Sequence, residues 1–194
     1  MTGSTSGEQG DRELGEELGR DPELERAEIE FLSASRLEAE QAEREAVQLG
    51  VRTRELVDVA RELMSRGDLV SVTVGERVFT GRVIHAAGDL MTVQTAEPTI
   101  DFNLAAPLLI SVTQRARAGG VAPGEGPGSF RGRLMEWERT REPVELGLVD
   151  PARGALKGQI RAAAQDHIAF VDTGGREWFV PSACVGYLAR WPRR

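Results

Sequence analysis

GRVIHAAGDLMTVQTAEPTIDFNLAAPLLISV, residues 81–112, returns in loose form as GQIRAAAQDHIAFVDTGGREWFVPSACVGYL at 158–188. Sliding one stretch onto the other pairs Gly81 with Gly158, Val83 with Ile160, Asp89 with Asp166, Met91 with Ile168 and Val93 with Phe170, all at a spacing of 77. One residue is then lost from the second stretch, which pairs Phe102 with Trp178, Leu104 with Val180, Leu109 with Val185 and Val112 with Leu188. A supersecondary unit that occurs twice constrains the architecture before any single residue is interpreted.

The flanks repeat as well. Val70, Val72 and Val74 alternate with polar residues, and Val144, Leu146 and Leu148 do so 74 positions later, so the turn at Asp150 to Gly154 is about three residues longer in the second copy. Before the first run, Thr53 caps a helix predicted over 54–66, with Leu56, Val59, Ala60, Leu63 and Met64 on one face and Gly67 at its end. Before the second, Ser129 caps a helix over 130–139 with Phe130, Leu134 and Trp137 on its face. Strands are expected at 70–74, 78–85, 90–95, 99–104 and 108–113, punctuated by Gly75-Glu76-Arg77, Gly88-Asp89, Glu97-Pro98 and Ala105-Ala106-Pro107. The predicted fold class is α+β: two tandem helix-plus-five-strand small antiparallel β-barrels, at 51–114 and 129–194, preceded by a long N-terminal helix. Residues 115–128, with five glycines and two prolines and no apolar period, read as the linker.

Residues 1–20 carry too few apolar groups to offset the entropy of ordering and are expected to be a disordered acidic arm. Asp21-Pro22 then starts a helix expected to end at Gly50. Its thin apolar stripe (Phe31, Leu32, Ala39, Ala42, Ala46 and Leu49) suits packing on the body of the protein or association with a partner or a sister chain. Residues 1–50 hold 14 Asp and Glu against 5 Arg, whereas the remaining residues hold 17 against 19 Lys and Arg, so the net charge of −7 belongs to the N-terminal part. That distribution argues against wholesale nucleic-acid binding, whose affinity comes largely from cations that neutralise phosphates. The longest apolar run, near Leu104 to Val112, is far short of the roughly 20 residues a spanning helix needs. No secretory signal is read at the N-terminus, and a single cysteine, Cys184, leaves no internal disulfide, so the cytoplasm is the expected compartment.

Motifs of catalysis are missing: no phosphate-cradling GxxxxGK, no GxSxG elbow, no CxxC and no HExxH occurs. His85 and His167 fall at unmatched places in the two copies, Asp89 and Asp166 at matched turns, and Cys184 at an expected buried strand position. The reading is therefore not an enzyme, with no metal, no cofactor and no small-molecule substrate. A cluster of Arg131, Arg133, Arg139 and Arg141, joined by Arg190, Trp191, Arg193 and Arg194, combines cations with an aromatic as a nucleic-acid patch would. The alternative is a core-packing Trp191 with a solubilising arginine fringe. The expected function is a non-catalytic binding or assembly module acting through protein contacts, followed by an RNA-binding or DNA-binding regulator and, distantly, an enzyme.

Gly81, Val83, Asp89, Met91 and Val93 echo the Sm pattern of Gly, apolar, Asp, Met and apolar, and the two copies resemble Sm-like and SH3-like small barrels. The endings LAAPLLISV and VPSACVGYL are similar to the last two strands of PRC-type barrels, and the whole is similar to tandem small-barrel chains of actinobacteria. The PRC resemblance implies protein binding and assembly. Sm contacts to uridine come from an Asn after the Met and an Arg-Gly pair near strand four. This chain has Thr92 and Ala169 at the first place, and Asn103-Leu104-Ala105-Ala106 and Val180-Pro181-Ser182-Ala183 near the second, so RNA binding is not carried over.

Overall fold

The structure, a computed structural model, describes residues 22–117, 119–122 and 124–191. The expected arm at 1–20, the Asp21 cap, Arg193 and Arg194 lie outside the described residues. Helix α1 (Pro22–Arg52) belongs to a unit of its own and runs straight through Gly50. Thr53 ends this helix rather than starting the next, donating its hydroxyl to the Leu49 carbonyl at 3.1 Å. Phe31, Leu32 and Leu49 are exposed, as are Ala39, Ala42 and Ala46.

The second unit begins at Arg54. Helix α2 (Leu56–Arg66) starts at Glu55, whose backbone N–H donates to the Asp58 carboxylate at 3.2 Å. It ends at Gly67, which adopts φ 74° and donates to the Leu63 and Met64 carbonyls. Val57, Ala60, Leu63 and Met64 form its buried face, while Leu56 turns outward. There follow β1 (Leu69–Val74), β2 (Arg77–Ala87), β3 (Leu90–Gln94), β4 (Thr99–Asn103) and β5 (Leu109–Gln114). Helix α3 (Phe130–Thr140), capped by Ser129 accepting from the Gly132 N–H at 3.1 Å, opens the second copy. Its strands are β6 (Val144–Leu148), β7 (Ala155–Ala163), β8 (His167–Asp172), β9 (Glu177–Pro181) and β10 (Val185–Arg190).

The expectation of two closed barrels is overturned. All ten strands form one open antiparallel sheet in the order β5-β1-β2-β3-β4-β10-β6-β7-β8-β9. Closure would require β4 to bond β5, and β9 to bond β10. Instead the backbone edge of β4 is taken by β10 of the other copy, with Phe102 opposite Tyr187, Asp101 opposite Leu188 and Ile100 opposite Ala189. The cores cross the seam accordingly. Tyr187 and Ala189 pack with α2, Val72, Val93 and Phe102, and Leu90 packs with Phe130, Leu134, Phe170 and Leu188. Neither copy is a self-contained helix-plus-five-strand unit, because each buries residues of the other.

The duplication itself is registered by the strand pairs. Val83 lies opposite Val93, and Ile160 opposite Phe170, which preserves the spacing of 77, and both copies bulge immediately afterwards. Beyond the third strand the spacing becomes 78, not 76: Met91 pairs with Phe102 and Ile168 with Val180, so Phe102 corresponds to Val180 and Ile100 to Trp178. The same offset holds in the fifth strands, where Ile110 and Leu188 lie opposite the equivalent residues Val72 and Leu146. The second copy has gained a residue in the Asp172 to Arg176 turn, where Asp172 accepts from the Gly174 and Arg176 N–H groups at 2.9 Å. The glycine-proline segment is held down rather than slack: Ala116 donates to the Asp68 carboxylate at 2.8 Å, and Gly120 to the Ser65 carbonyl at 2.8 Å.

Candidate functional site

Three places in the sheet unit gather chemistry. The first is the seam. Tyr187 is buried, its ring 4.7 Å from Phe79 and 6.4 Å from Phe102 between centroids. Its hydroxyl donates to Glu145 at 2.7 Å, and Arg77 donates to both. Lys157 stands 3.7 Å from the other Glu145 oxygen and 3.8 Å over the Trp191 ring. Burial, then the hydrogen bond to Glu145 and that carboxylate's charge, push the phenol well above the usual tyrosine range. Donating to Glu145 of β6 and accepting from Arg77 of β2, the hydroxyl fastens β10 to both strands.

The second is a groove of about 510 Å³ in which Asp101, Thr92 and His85 of the first copy face Arg133 and Trp137 of α3. Asp101 is buried and its carboxyl lies above the ordinary aspartate value because burial outweighs the Thr92 hydroxyl, which donates at 2.7 Å, and Arg133, whose Nε is 3.2 Å away. That Nε is poorly aligned for a hydrogen bond, so the pair is mainly Coulombic. His85 shares the groove but bonds the Pro127 carbonyl at 3.0 Å through Nε2. His167 sits elsewhere, on Asp166 at 2.7 Å, and draws that carboxyl below its usual range. Among the described residues no group of His, Cys, Asp and Glu is placed to hold a metal ion.

The third place is the pair of sheet ends. Among the described residues β5 and β9 each have one neighbouring strand, and each exposes large apolar groups: Leu109 at 73%, Phe179 at 66% and Val112 at 43%. Against β9 lies a cavity of about 540 Å³ lined by Leu148, Leu156, Trp178, Val180 and Cys184, and by the charged Asp150 and Arg153. Cys184 is thus exposed, not the buried hydrophobe expected, because the shifted alignment places it in a 3₁₀ turn (Ser182–Cys184) before β10.

The arginine cluster is brought together only in part: Arg133 and Arg190 line the groove at Asp101, Arg190 and Trp191 line a cavity at the seam, and Arg139 and Arg141 line another. Arg139 and Arg141 share a cavity of about 640 Å³ with Arg161 and Glu138. Arg131 donates to the Ala164 carbonyl at 3.1 Å, Arg133 turns in to Asp101 and Glu136, and Arg190 is fastened to Glu142 at 2.6 Å. Trp191 lies under Lys157 beside the seam. Sequence reasoning missed Leu109, Phe179, Asp101 and the Arg77–Glu145–Tyr187 cluster. The one available signal was adjacency: in Leu108-Leu109-Ile110 and Trp178-Phe179-Val180 consecutive apolar residues point to opposite faces, so one must leave the core. No helix among the described residues is long and apolar enough to cross a membrane. No protein family matches the chain, and no curated protein shows significant similarity to it.

Proposed function

We propose that this chain is a non-catalytic protein-binding and assembly module that works through the ends of its sheet. The observation that carries the reading is the exposure of Leu109 and Phe179 on two strands that, among the described residues, each lack a second neighbour. Unpaired strand edges offer a row of backbone donors and acceptors, and proteins ordinarily blunt them with charge, bulges or cover. β5, with the sequence LISVTQ, carries no charged residue and bulges only at its end, between Val112 and Gln114, while β9 carries only Glu177 and a terminal Pro181. An extended segment added there gains main-chain hydrogen bonds, and the cavity beside β9 supplies a mostly apolar pocket for a side chain.

A second reading, nucleic-acid binding, draws on Arg139, Arg141 and Arg161 lining one cavity. Glu138 in the same lining, and the pairing of Arg133 and Arg190 with carboxylates, weaken it. Site-specific photo-crosslinking in native extract separates the two. A photoreactive phenylalanine analogue at position 179 is expected to give protein adducts that survive nuclease, while the same analogue at Val121, which is exposed in the segment before α3, gives none. Adducts that vanish with nuclease, or equal labelling at both positions, would defeat the protein-binding reading.

A further inference from the structure

We infer that the partner of the sheet ends is a second copy of this chain, docked head to tail, with β5 of one molecule pairing antiparallel to β9 of the next. This rests on the protein-binding reading above and names its partner. The duplication supplies the geometry. Inside one chain β4 pairs with β10, and β4 and β10 are the repeat equivalents of β9 and β5, the two ends left unpaired. Repeating the internal junction between molecules, at the spacing of 78, sets Leu109 opposite Val180, Ile110 opposite Phe179 and Ser111 opposite Trp178.

The side chains agree with that register. In the internal seam Tyr187 fills a socket made by Phe79 and Phe102. The equivalents of those two residues are Leu156 and Val180, which wall the cavity of about 540 Å³ beside β9. The equivalent of Tyr187 is Leu109, which is 73% exposed and has no internal socket. The polar partners change with it. Arg77 and Glu145, which serve the Tyr187 hydroxyl, correspond to Gly154 and Ser71, and a leucine needs neither cation nor carboxylate. The plug has therefore altered from a hydrogen-bonded aromatic to a plain aliphatic, and the cavity that would take it keeps one exposed ion pair, Arg153 with Asp150 at 3.4 Å, beside its aliphatic walls. A heterologous contact of this kind closes into a ring or runs on as a filament, according to the rotation per step.

The test uses the full chain, purified alone, in sedimentation velocity across a concentration series. The expected result is mass rising above the monomer with concentration, and L109R shifting the association midpoint upward by about tenfold or more while the melting temperature, measured below the association midpoint, stays at the wild-type value. A register check uses oxidised mixtures in a C184S background, which removes the exposed native thiol. V112C mixed with E177C should form a disulfide-linked dimer, because continuing the register sets these exposed residues opposite one another. V112C mixed with V78C should not. A strictly monomeric wild type, association untouched by L109R, or equal cross-linking of the two mixtures would overturn the inference. Extract adducts at position 179 from a chain that stays monomeric would overturn only the second copy and leave the protein-binding reading standing. Absence of both would remove the two together.

Discussion

Gly81 and Gly158 occupy the same place in the two copies for a steric reason. A Cβ on either would sit inside van der Waals contact with a third-strand carbonyl, Gln94 O in one copy and Val171 O in the other. The second strand crosses the third so closely there that only a hydrogen fits. G81A is expected to destabilise by about 1–3 kcal/mol, as forced overpacking does, with G158A similar, measured by chemical denaturation. Asp101 makes a different prediction. Because its folded value is raised, the stability tied to it is present below the ordinary aspartate range and is lost as pH rises through the folded value. D101N does not titrate, so its stability relative to wild type should climb as pH rises from the ordinary aspartate range upward. A difference that stays flat with pH, in melts across the acidic range, would show that Asp101 is not strained by burial.

At the scale of elements, strand alternation and helix stripes were legible wherever one face is buried and the other is wet. The alternation of Val70, Val72 and Val74 and of Val144, Leu146 and Leu148 therefore marked β1 and β6, including their spacing of 74. The fourth and fifth strands were not legible in register. Their matched apolar residues at 76 arise from composition, while the hydrogen bonds of β3 to β4 and β8 to β9 impose 78, and a slip of two residues keeps every side chain on the same face. Periodicity is blind to such a slip. It is blind also to which strand an edge will choose, and that hid both the seam and the exposed Leu109. The segment before α3 reads as slack by composition, yet Asp68, buried and drawn below its usual range first by the Ala116 N–H and also by Arg66, pins its start. D68A should release that end, and tryptic cleavage after Arg115 and Arg117 should quicken several-fold without loss of the remaining sheet. An unchanged cleavage rate would place the restraint elsewhere.

At the scale of the whole sheet unit, the exchange at the seam decides how it unfolds. Two closed barrels joined by a tether would melt as two domains, each with its own core. Here Tyr187 and Ala189 of the second copy complete the core under α2, and Leu90 of the first completes the core under α3. Losing either copy leaves apolar surface of the other facing water, so neither half has a stable folded state of its own. Residues 54–194 are therefore expected to unfold in one calorimetric transition whose measured and van't Hoff enthalpies agree. Y187A should lower that single transition by about 3–5 kcal/mol of stability, the cost of deleting a buried aromatic, rather than split it into two. Y187F separates packing from polarity: it keeps the ring between Phe79 and Phe102 and leaves Glu145 paired with Arg77 and Lys157, but removes the hydroxyl's hydrogen bonds to these charged groups, and about 1–3 kcal/mol should be lost. Two resolved transitions in wild type, or a Y187A protein whose α3 half melts at the wild-type temperature, would mean that the copies fold independently and that the seam is a contact rather than a shared core.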